Sequence, residues 1–133
     1  MRRVRIVHVL IVMALLAMTA YTQPDNTGAQ NAAMLERVVA EVWNSGDFAM
    51  LADAIAENFV RHNPVTWDPP MIEGRQAFQD YVTKVRKDFT NFNVMVHNRF
   101  GQGNLVAANW TVTGTHAESG KDIKVDGDRK SVV

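Results

Sequence analysis

The stretch that most constrains the fold is the longest run of strand-forming residues in the chain, Leu105-Val-Ala-Ala-Asn-Trp-Thr-Val-Thr-Gly-Thr-His116. It contains no proline and follows a Gly101-Gln-Gly-Asn104 turn, so it predicts a long strand that begins at a reversal of direction. Successive side chains of a strand point to opposite faces, and one face carries Val106, Ala108, Trp110, Val112, Gly114 and His116. An apolar row that ends in a titratable group is typical of a pocket wall.

The beginning of the chain has the layout of a secretory signal peptide. Residues 1–5 are basic, residues 6–18 are apolar apart from His8, and small residues follow. We therefore expect a signal peptide over residues 1–22, a polar linker over 23–29 and a secreted or periplasmic protein. An uncleaved membrane anchor is the alternative, although a span needs about 20 apolar residues. After cleavage we expect no stable membrane span.

Length and composition limit the protein to a single domain and narrow its partners. The chain has 133 residues and no cysteine, which excludes disulfides and thiol catalysis. The three arginines of the leader leave 11 basic and 14 acidic residues in the rest, a net charge of −3 that disfavours nucleic acid as a partner. The four histidines lack the spacing of metal ligands, so we expect no metal site.

Helical periodicity precedes the strand region. Apolar residues at helical spacing predict a first helix over residues 30–44. Asp47 is placed as the N-cap of a second helix, whose apolar stripe continues to Phe59. The Glu73-Gly-Arg75 sequence leads into a third helix that continues to about Phe89.

Shorter extended segments complete the prediction. Residues 59–62 read as a brief strand, and the prolines within residues 65–70 predict an irregular loop. Residues 92–97 alternate as a strand that pairs with Leu105 to His116, and Ile123-Lys-Val125 begins another alternating run. Helices followed by antiparallel strands describe an α+β domain with the helices across one face of a curved sheet.

Four short motifs carry a resemblance to a known family. They are Glu41-Val-Trp-Asn-Ser-Gly-Asp47, Phe59-Val-Arg-His-Asn-Pro64, Glu73-Gly-Arg75 and Asn109-Trp-Thr-Val-Thr-Gly-Thr-His116. In order and spacing the chain resembles the SnoaL-like polyketide cyclases or ester cyclases, within the nuclear transport factor two-like superfamily. The resemblance covers about residues 32–125, and we assign residues 30–133 to this domain.

The resemblance implies a cone of three N-terminal helices over a bent antiparallel sheet, enclosing a deep apolar pocket. It also implies acid/base chemistry on a bound small molecule, an aldol-type ring closure, without metal or organic cofactor. A dry pocket would raise the pKa of a carboxylate or position an imidazole for such proton transfer. The candidate catalytic residue is His116, and the candidate substrate-binding residues are His62, Trp67, Tyr81 and Trp110.

Each candidate also has a structural interpretation. His116 is equally a solvated histidine at a strand end, and His62 a side chain bonded to a turn backbone. Tyr81 and Trp110 fit a core with a satisfied hydroxyl, and Trp67 fits an ordered surface loop. These alternatives stay open at the level of sequence.

The sequence departs from the family pattern after Gly127. Two further long strands that carry the acid/base residues of the cyclases are expected there, and the chain offers no position for the catalytic carboxylate. We therefore expect the last strands to be missing and the domain to be incomplete at its C-terminus. The leading hypothesis is an exported cyclase or isomerase that binds a small, largely apolar molecule. The alternatives are a non-catalytic ligand-binding or assembly domain and a fragment of an active protein.

The missing strands would leave a sheet edge exposed, which predicts a homodimer that covers it. Sedimentation of the mature protein at increasing concentration tests this, and we expect the average mass to rise towards that of two copies. A mass that stays at one copy over the whole concentration range contradicts the dimer.

Overall fold

The computed structural model describes residues 26–64 and 66–132, so the predicted signal peptide and the first residues of the predicted linker lie outside the described part. The α+β class is confirmed, because helices precede an antiparallel sheet. In chain order the elements are α1 (Thr27–Arg37), its π-helical continuation (Val38–Asn44), α2 (Leu51–Ala54), β1 (Val60–His62), β2 (Met71–Glu73), α3 (Arg75–Asp88), β3 (Phe89–Gln102), β4 (Leu105–His116) and β5 (Asp122–Val132).

The main sheet has the order β3-β4-β5 and is antiparallel throughout. The predicted turn is confirmed: β3 ends at Gln102, β4 begins at Leu105, and Gly103 between them has φ of 55°. β5 pairs with β4 over the whole interval from Asp122 to Val132. It is therefore longer than the predicted alternating run, and β4 is the central strand with a neighbour on each side.

Two irregularities bend β3. The register with β4 shifts between Thr90 and Asn93 and again between Val96 and Asn98. Extra residues at such bulges kink a strand and increase its twist. The sheet therefore curves around the helices, as the fold class requires.

The second helix is shorter than predicted. Asp47 Oδ1 accepts a hydrogen bond from the Ala49 backbone N–H at 2.9 Å, as a cap would, but regular helix covers only Leu51–Ala54. The reason is tertiary: the Ile55 carbonyl accepts from Arg75 Nε at 2.6 Å, and the Phe59 carbonyl accepts from the Gly74 N–H at 2.7 Å. These contacts replace the helical hydrogen bonds that the prediction assumed.

A small hairpin lies before α3, and the sequence predicted only one of its two strands. The brief strand at 59–62 is confirmed as β1, whereas its partner β2 was not predicted. Asn63 is buried and closes the connecting loop: its N–H donates to the Pro70 carbonyl and its Nδ2 donates to the Pro69 carbonyl, both at 2.8 Å.

The core lies where the π-helical continuation, α3 and β3 meet. Trp43 is its centre, with ring centroids 5.7 Å from Phe78, 6.2 Å from Tyr81 and 6.0 Å from Phe92. The first two contacts are edge-to-face, the arrangement that aromatic quadrupoles favour. Phe78 is 1 % exposed and Val82 is fully buried, so α3 presents one apolar side to this centre.

Asn44 ties the helical layer to the sheet edge. Its Nδ2 donates to the Val94 carbonyl at 2.9 Å, and its Oδ1 accepts from the Val94 N–H at 2.7 Å. β3 is an edge strand, and the backbone N–H and carbonyl of Val94 that bond Asn44 lie at its open edge, where no further strand pairs with them. The Asn44 amide therefore takes the place of a neighbouring strand.

Replacing this amide should destabilise the fold. Asn44→Ala leaves the Val94 N–H and carbonyl without a protein partner, and we expect the free energy of unfolding to fall by about 1–3 kcal/mol. Urea titration followed by circular dichroism measures it. Asn93→Ala, one residue from Val94 on the exposed face of the sheet, is the matched control and should change stability by less than about 0.5 kcal/mol. Equal losses in both variants would contradict the bridging role.

Candidate functional site

A cavity of about 1060 Å³ lies between the helices and the inner face of the sheet. This is at the upper end of the roughly 300–1,000 Å³ of small-molecule sites. Its floor consists of apolar side chains on alternate positions of β3 and β4, which are Phe92, Val94, Val96, Ala108, Trp110 and Val112. The predicted apolar face of β4 is thus turned toward a cavity.

One end of the floor depends on a glycine. Gly127 on β5 pairs directly with Trp110 on β4, and the indole lies over the glycine. A Cβ at position 127 would stand 2.5 Å from Trp110 Cζ2, which is closer than real Cβ atoms approach a neighbour. Glycine at this position therefore lets the Trp110 ring lie flat along the cavity floor.

Arg61, the middle residue of β1, brings a positive charge to the cavity wall. Its guanidinium lies over two neighbouring aromatic rings, with Cζ 5.1 Å from the ring centroid of Trp43 and 6.0 Å from that of Tyr81. Such cation–π contacts stabilise a cation that has left water. Burial lowers the pKa of Arg61, and the neighbouring Tyr81 opposes this shift.

The hydrogen bonds of Arg61 occupy one side of the guanidinium. Nε donates to Asn63 Oδ1 at 2.7 Å. Within residues 26–64 and 66–132, no carboxylate forms a salt bridge with Arg61, whereas Arg37 pairs with Glu41 and Arg99 pairs with Glu36. The charge of Arg61 is therefore directed at the cavity instead of a protein anion.

Tyr81 on α3 supplies a second polar group beside Arg61. Burial raises the pKa of the Tyr81 phenol, while the Arg61 charge, a hydrogen bond with the Asn63 side chain and the Lys84 charge each lower it in part. A phenol is protonated at neutral pH already at its ordinary pKa of 10.0, and the upward shift acts in the same direction. Tyr81 can therefore donate a hydrogen bond to a ligand.

The groups that could accept a proton lie at the rim. His62, Asp68 and Asp128 line the cavity and are exposed. Asp88 also lines it and forms an ion pair with Lys84, and this pairing raises the pKa of Lys84. The site thus has hydrogen-bond donors inside and proton acceptors at its opening.

The structure brings four of the five predicted site residues together. His62, Trp67, Tyr81 and Trp110 all line the cavity, although they come from β1, the proline loop, α3 and β4. His116 is not among the lining residues. Sequence reasoning missed Arg61 and Asn63, and the signal that could have found Arg61 is its period-two spacing from the core residue Phe59.

His116 instead participates in the β4–β5 turn. Its Nδ1 lies 3.0 Å from Ser119 Oγ and accepts from the Ser119 N–H at 3.3 Å, and its ring packs edge-to-face on Phe89. Its backbone N–H donates to the Lys121 carbonyl at 2.8 Å. His116 therefore packs beside Phe89, which lines the cavity, without lining it itself.

The described residues contain no group of three or more histidine or acidic side chains arranged to hold a metal ion. Among the helices in that part of the chain, none has the length and apolar character to cross a bilayer.

Comparison with known proteins gives a family and a fold. The sequence profile of the family described as SnoaL-like polyketide cyclase matches residues 33–132. A sequence search of curated proteins found no match.

Solved structures share the architecture. A candidate SnoaL-like polyketide cyclase from Jannaschia sp. CCS1 is 17 % identical with a TM-score of 0.69, covering 84 % of this chain and 82 % of that one. IdmH, a candidate polyketide cyclase from Streptomyces antibioticus, is 22 % identical with a TM-score of 0.65, covering 78 % and 83 %. An epoxide hydrolase of the LEH-like type from M. tuberculosis is 15 % identical with a TM-score of 0.65, covering 80 % and 74 %. At these identities the likeness is one of fold, and it confirms the cone-shaped α+β architecture.

The environment of Tyr81 predicts a late phenol ionisation. Tyr21 and Tyr81 are the two tyrosines, and in an ultraviolet titration of the folded protein we expect one phenolate to appear above the ordinary pKa of 10.0. The titration uses the full-length protein, because Tyr21 lies in the predicted signal peptide. Tyr81→Phe should remove that step, and Tyr21→Phe should retain it.

The same shift predicts a pH dependence of stability. A phenol with a raised pKa in the folded state contributes stability below the unfolded pKa and loses it as pH rises through the folded pKa. Above about pH 10 the free energy of unfolding should therefore fall more steeply in the unmodified protein than in Tyr81→Phe. Parallel slopes would contradict the burial of this hydroxyl.

Proposed function

Because the chain belongs to the SnoaL-like polyketide cyclase family, we propose that it binds a small, largely apolar carbonyl compound and acts on it as a cofactor-independent cyclase or isomerase. The observation that carries this proposal is the cavity of about 1060 Å³, with an apolar floor and Tyr81 and Arg61 as donors on one wall. Removing a proton from carbon beside a carbonyl needs such a site: an apolar enclosure, a base and a donor to the carbonyl oxygen.

His62 is the proposed general base. An imidazole changes charge near neutral pH without needing burial, whereas an exposed carboxylate is a weak base there. Asp68 is exposed, and Asp88 is held by Lys84. Among these wall residues, His62 therefore suits proton transfer best.

Tyr81 is the proposed donor to the carbonyl. The imidazole of His62 takes the proton from the carbon beside the carbonyl. The C–H bonding pair forms the carbon–carbon double bond of an enolate, and the π pair of the carbonyl moves to the oxygen. This negatively charged oxygen accepts a hydrogen bond from the Tyr81 hydroxyl. In an isomerase the imidazolium returns the proton to another carbon. In a cyclase the enolate carbon attacks a second carbonyl of the same molecule, a carbon–carbon bond forms, and the imidazolium protonates the new alkoxide.

The apolar floor would determine which molecules react. Trp110 and Val112 form one side of the cavity, and Trp67 approaches from the proline loop. Flat or folded carbon skeletons would bury their surface against these rings, at roughly 25 cal/mol per Å² of apolar area. This burial would also hold a flexible chain in the folded shape that ring closure requires.

A specific observation favours a second candidate, a non-catalytic binding domain. In the described cavity wall, the imidazole and the carboxylates lie at the exposed or half-exposed rim, and none of them is fully buried. A site of this kind can hold an apolar ligand without the dry base that strong proton transfer favours. The two candidates differ in whether bound ligand exchanges protons.

Export and self-association accompany the proposal. The leader lies outside the described residues, so export stays a prediction of the sequence. A homodimer is supported by apolar side chains on the open surface of the sheet, where Met95 is 55 % and Phe100 66 % exposed. A second copy that covered these side chains would remove apolar surface from water, which would stabilise the dimer.

Exchange of the acidic protons of a bound ketone with deuterated solvent distinguishes the candidates. We expect His62→Gln to slow this exchange by about 100- to 10,000-fold, the range of general base catalysis, with little change in ligand affinity. Mass spectrometry of the ligand measures the exchange.

His97→Gln is the matched control. His97 lies on the open face of the sheet, with Nε2 2.7 Å from Thr111 Oγ1, and it does not line the cavity. The enzyme proposal fails if the unmodified protein binds the ketone without accelerating exchange, and the binding domain then remains. Equal losses in the two variants would instead contradict the role of His62.

A further inference from the structure

We propose that the molecule bound in the cavity carries a carboxylate group, which Arg61 binds through its two terminal nitrogens. This inference rests on the proposed function, because it takes the cavity as the ligand site. It narrows the substrate class to apolar molecules with an acidic head, such as an aromatic or keto carboxylic acid.

Charge matching distinguishes Arg61 from other arginines of the described chain. Arg37 and Arg99 form salt bridges with glutamates. Arg86 donates to the carbonyls of Trp43 and Asn44, and Arg75 donates to those of Ile55 and Ala52.

Arg61, by contrast, has one side-chain hydrogen bond within the described residues, from Nε to Asn63. Its surroundings are the rings of Trp43 and Tyr81 and the apolar cavity wall. A cation in apolar surroundings is costly unless an anion pairs with it. A ligand carboxylate would supply that anion.

The orientation of the guanidinium also suits a carboxylate. Nε is fixed by Asn63, and the rings of Trp43 and Tyr81 lie against the planar group, so the remaining donors are those of Nη1 and Nη2. In the described part of the chain, no fully buried side-chain nitrogen or oxygen lacks a hydrogen-bond partner, so these two nitrogens retain access to the cavity. Two parallel donors in one plane match the two oxygens of a carboxylate.

The acidic residues of the wall do not compete for this position. Asp88 pairs with Lys84, and Asp68 adds to the negative charge around the same lysine. A third acidic residue, Asp128, also lines the cavity, and none of the three carboxylates forms a salt bridge with Arg61 in the described part of the chain. A bound acid would place its carboxylate at Arg61 and its apolar body along the floor formed by Trp110 and Val112.

Two probes with the same apolar body test the charge: 2-naphthoic acid and 2-naphthamide. By isothermal titration calorimetry at neutral pH we expect the unmodified protein to bind the acid about 10- to 100-fold more tightly than the amide, the range of hydrogen bonds to charged groups. Arg61→Met keeps an apolar side chain of similar length and should abolish the preference while leaving amide binding in place. Lys87→Met is the matched control, since Lys87 is exposed and does not line the cavity, and it should keep the preference.

Each result has one interpretation. Equal affinities for acid and amide in the unmodified protein overturn the carboxylate proposal and leave the cavity as an apolar site. Failure of both probes to bind overturns the cavity as ligand site, and the proposed function with it. If Arg61→Met does not fold, the comparison of the two probes on the unmodified protein still decides. Arg61→Lys keeps the charge without the planar guanidinium, and this variant should bind the acid less tightly than the unmodified protein does.

Discussion

The structure depends on one side chain, Trp43, which joins the parts that would otherwise pack separately. Its indole contacts Phe78 and Tyr81 on α3, Phe92 on β3 and the guanidinium of Arg61 on β1. It is 8 % exposed and lines the cavity at the same time. The packing that stabilises the helical layer therefore also fixes the distance between the donors of the site. A smaller residue at this position would loosen both, because a cavity left in the core does not collapse completely.

The spacing of apolar residues predicted those helices and strands that bury one continuous face. The apolar spacing in residues 30–44 and 75–89 identified two helices, and the alternation from Leu105 onward identified β4 and its inward face. The prediction overestimated α2 and missed β2. The cause is the same in both cases: hydrogen bonds from Arg75 to the Ile55 carbonyl and from Gly74 to the Phe59 carbonyl determine where the chain turns. Contacts between distant segments leave no periodic pattern in either segment.

The sequence predicted which side of β4 faces the candidate site, but not which residues on that side reach the cavity. Period two placed Trp110 and His116 on one side of β4, yet only Trp110 reaches the cavity, because the strand continues past it and His116 packs on Phe89 at the turn. Arg61 was overlooked because a charged residue is ordinarily exposed. Its position two residues after Phe59 on a strand puts it on the inward side, where Phe59 packs 5.3 Å from Phe78.

The three-residue strand β1 thus has the largest part in the proposed chemistry. Arg61 and His62 are neighbours on β1 and both line the cavity, so β1 contributes a half-buried cation and an exposed imidazole to the same site. Asn63 connects Arg61 to the proline loop. Its Oδ1 accepts a hydrogen bond from Arg61 Nε, and its Nδ2 donates to the Pro69 carbonyl in the loop that carries Trp67. Movement of that loop would therefore shift the guanidinium as well, since both depend on one buried amide.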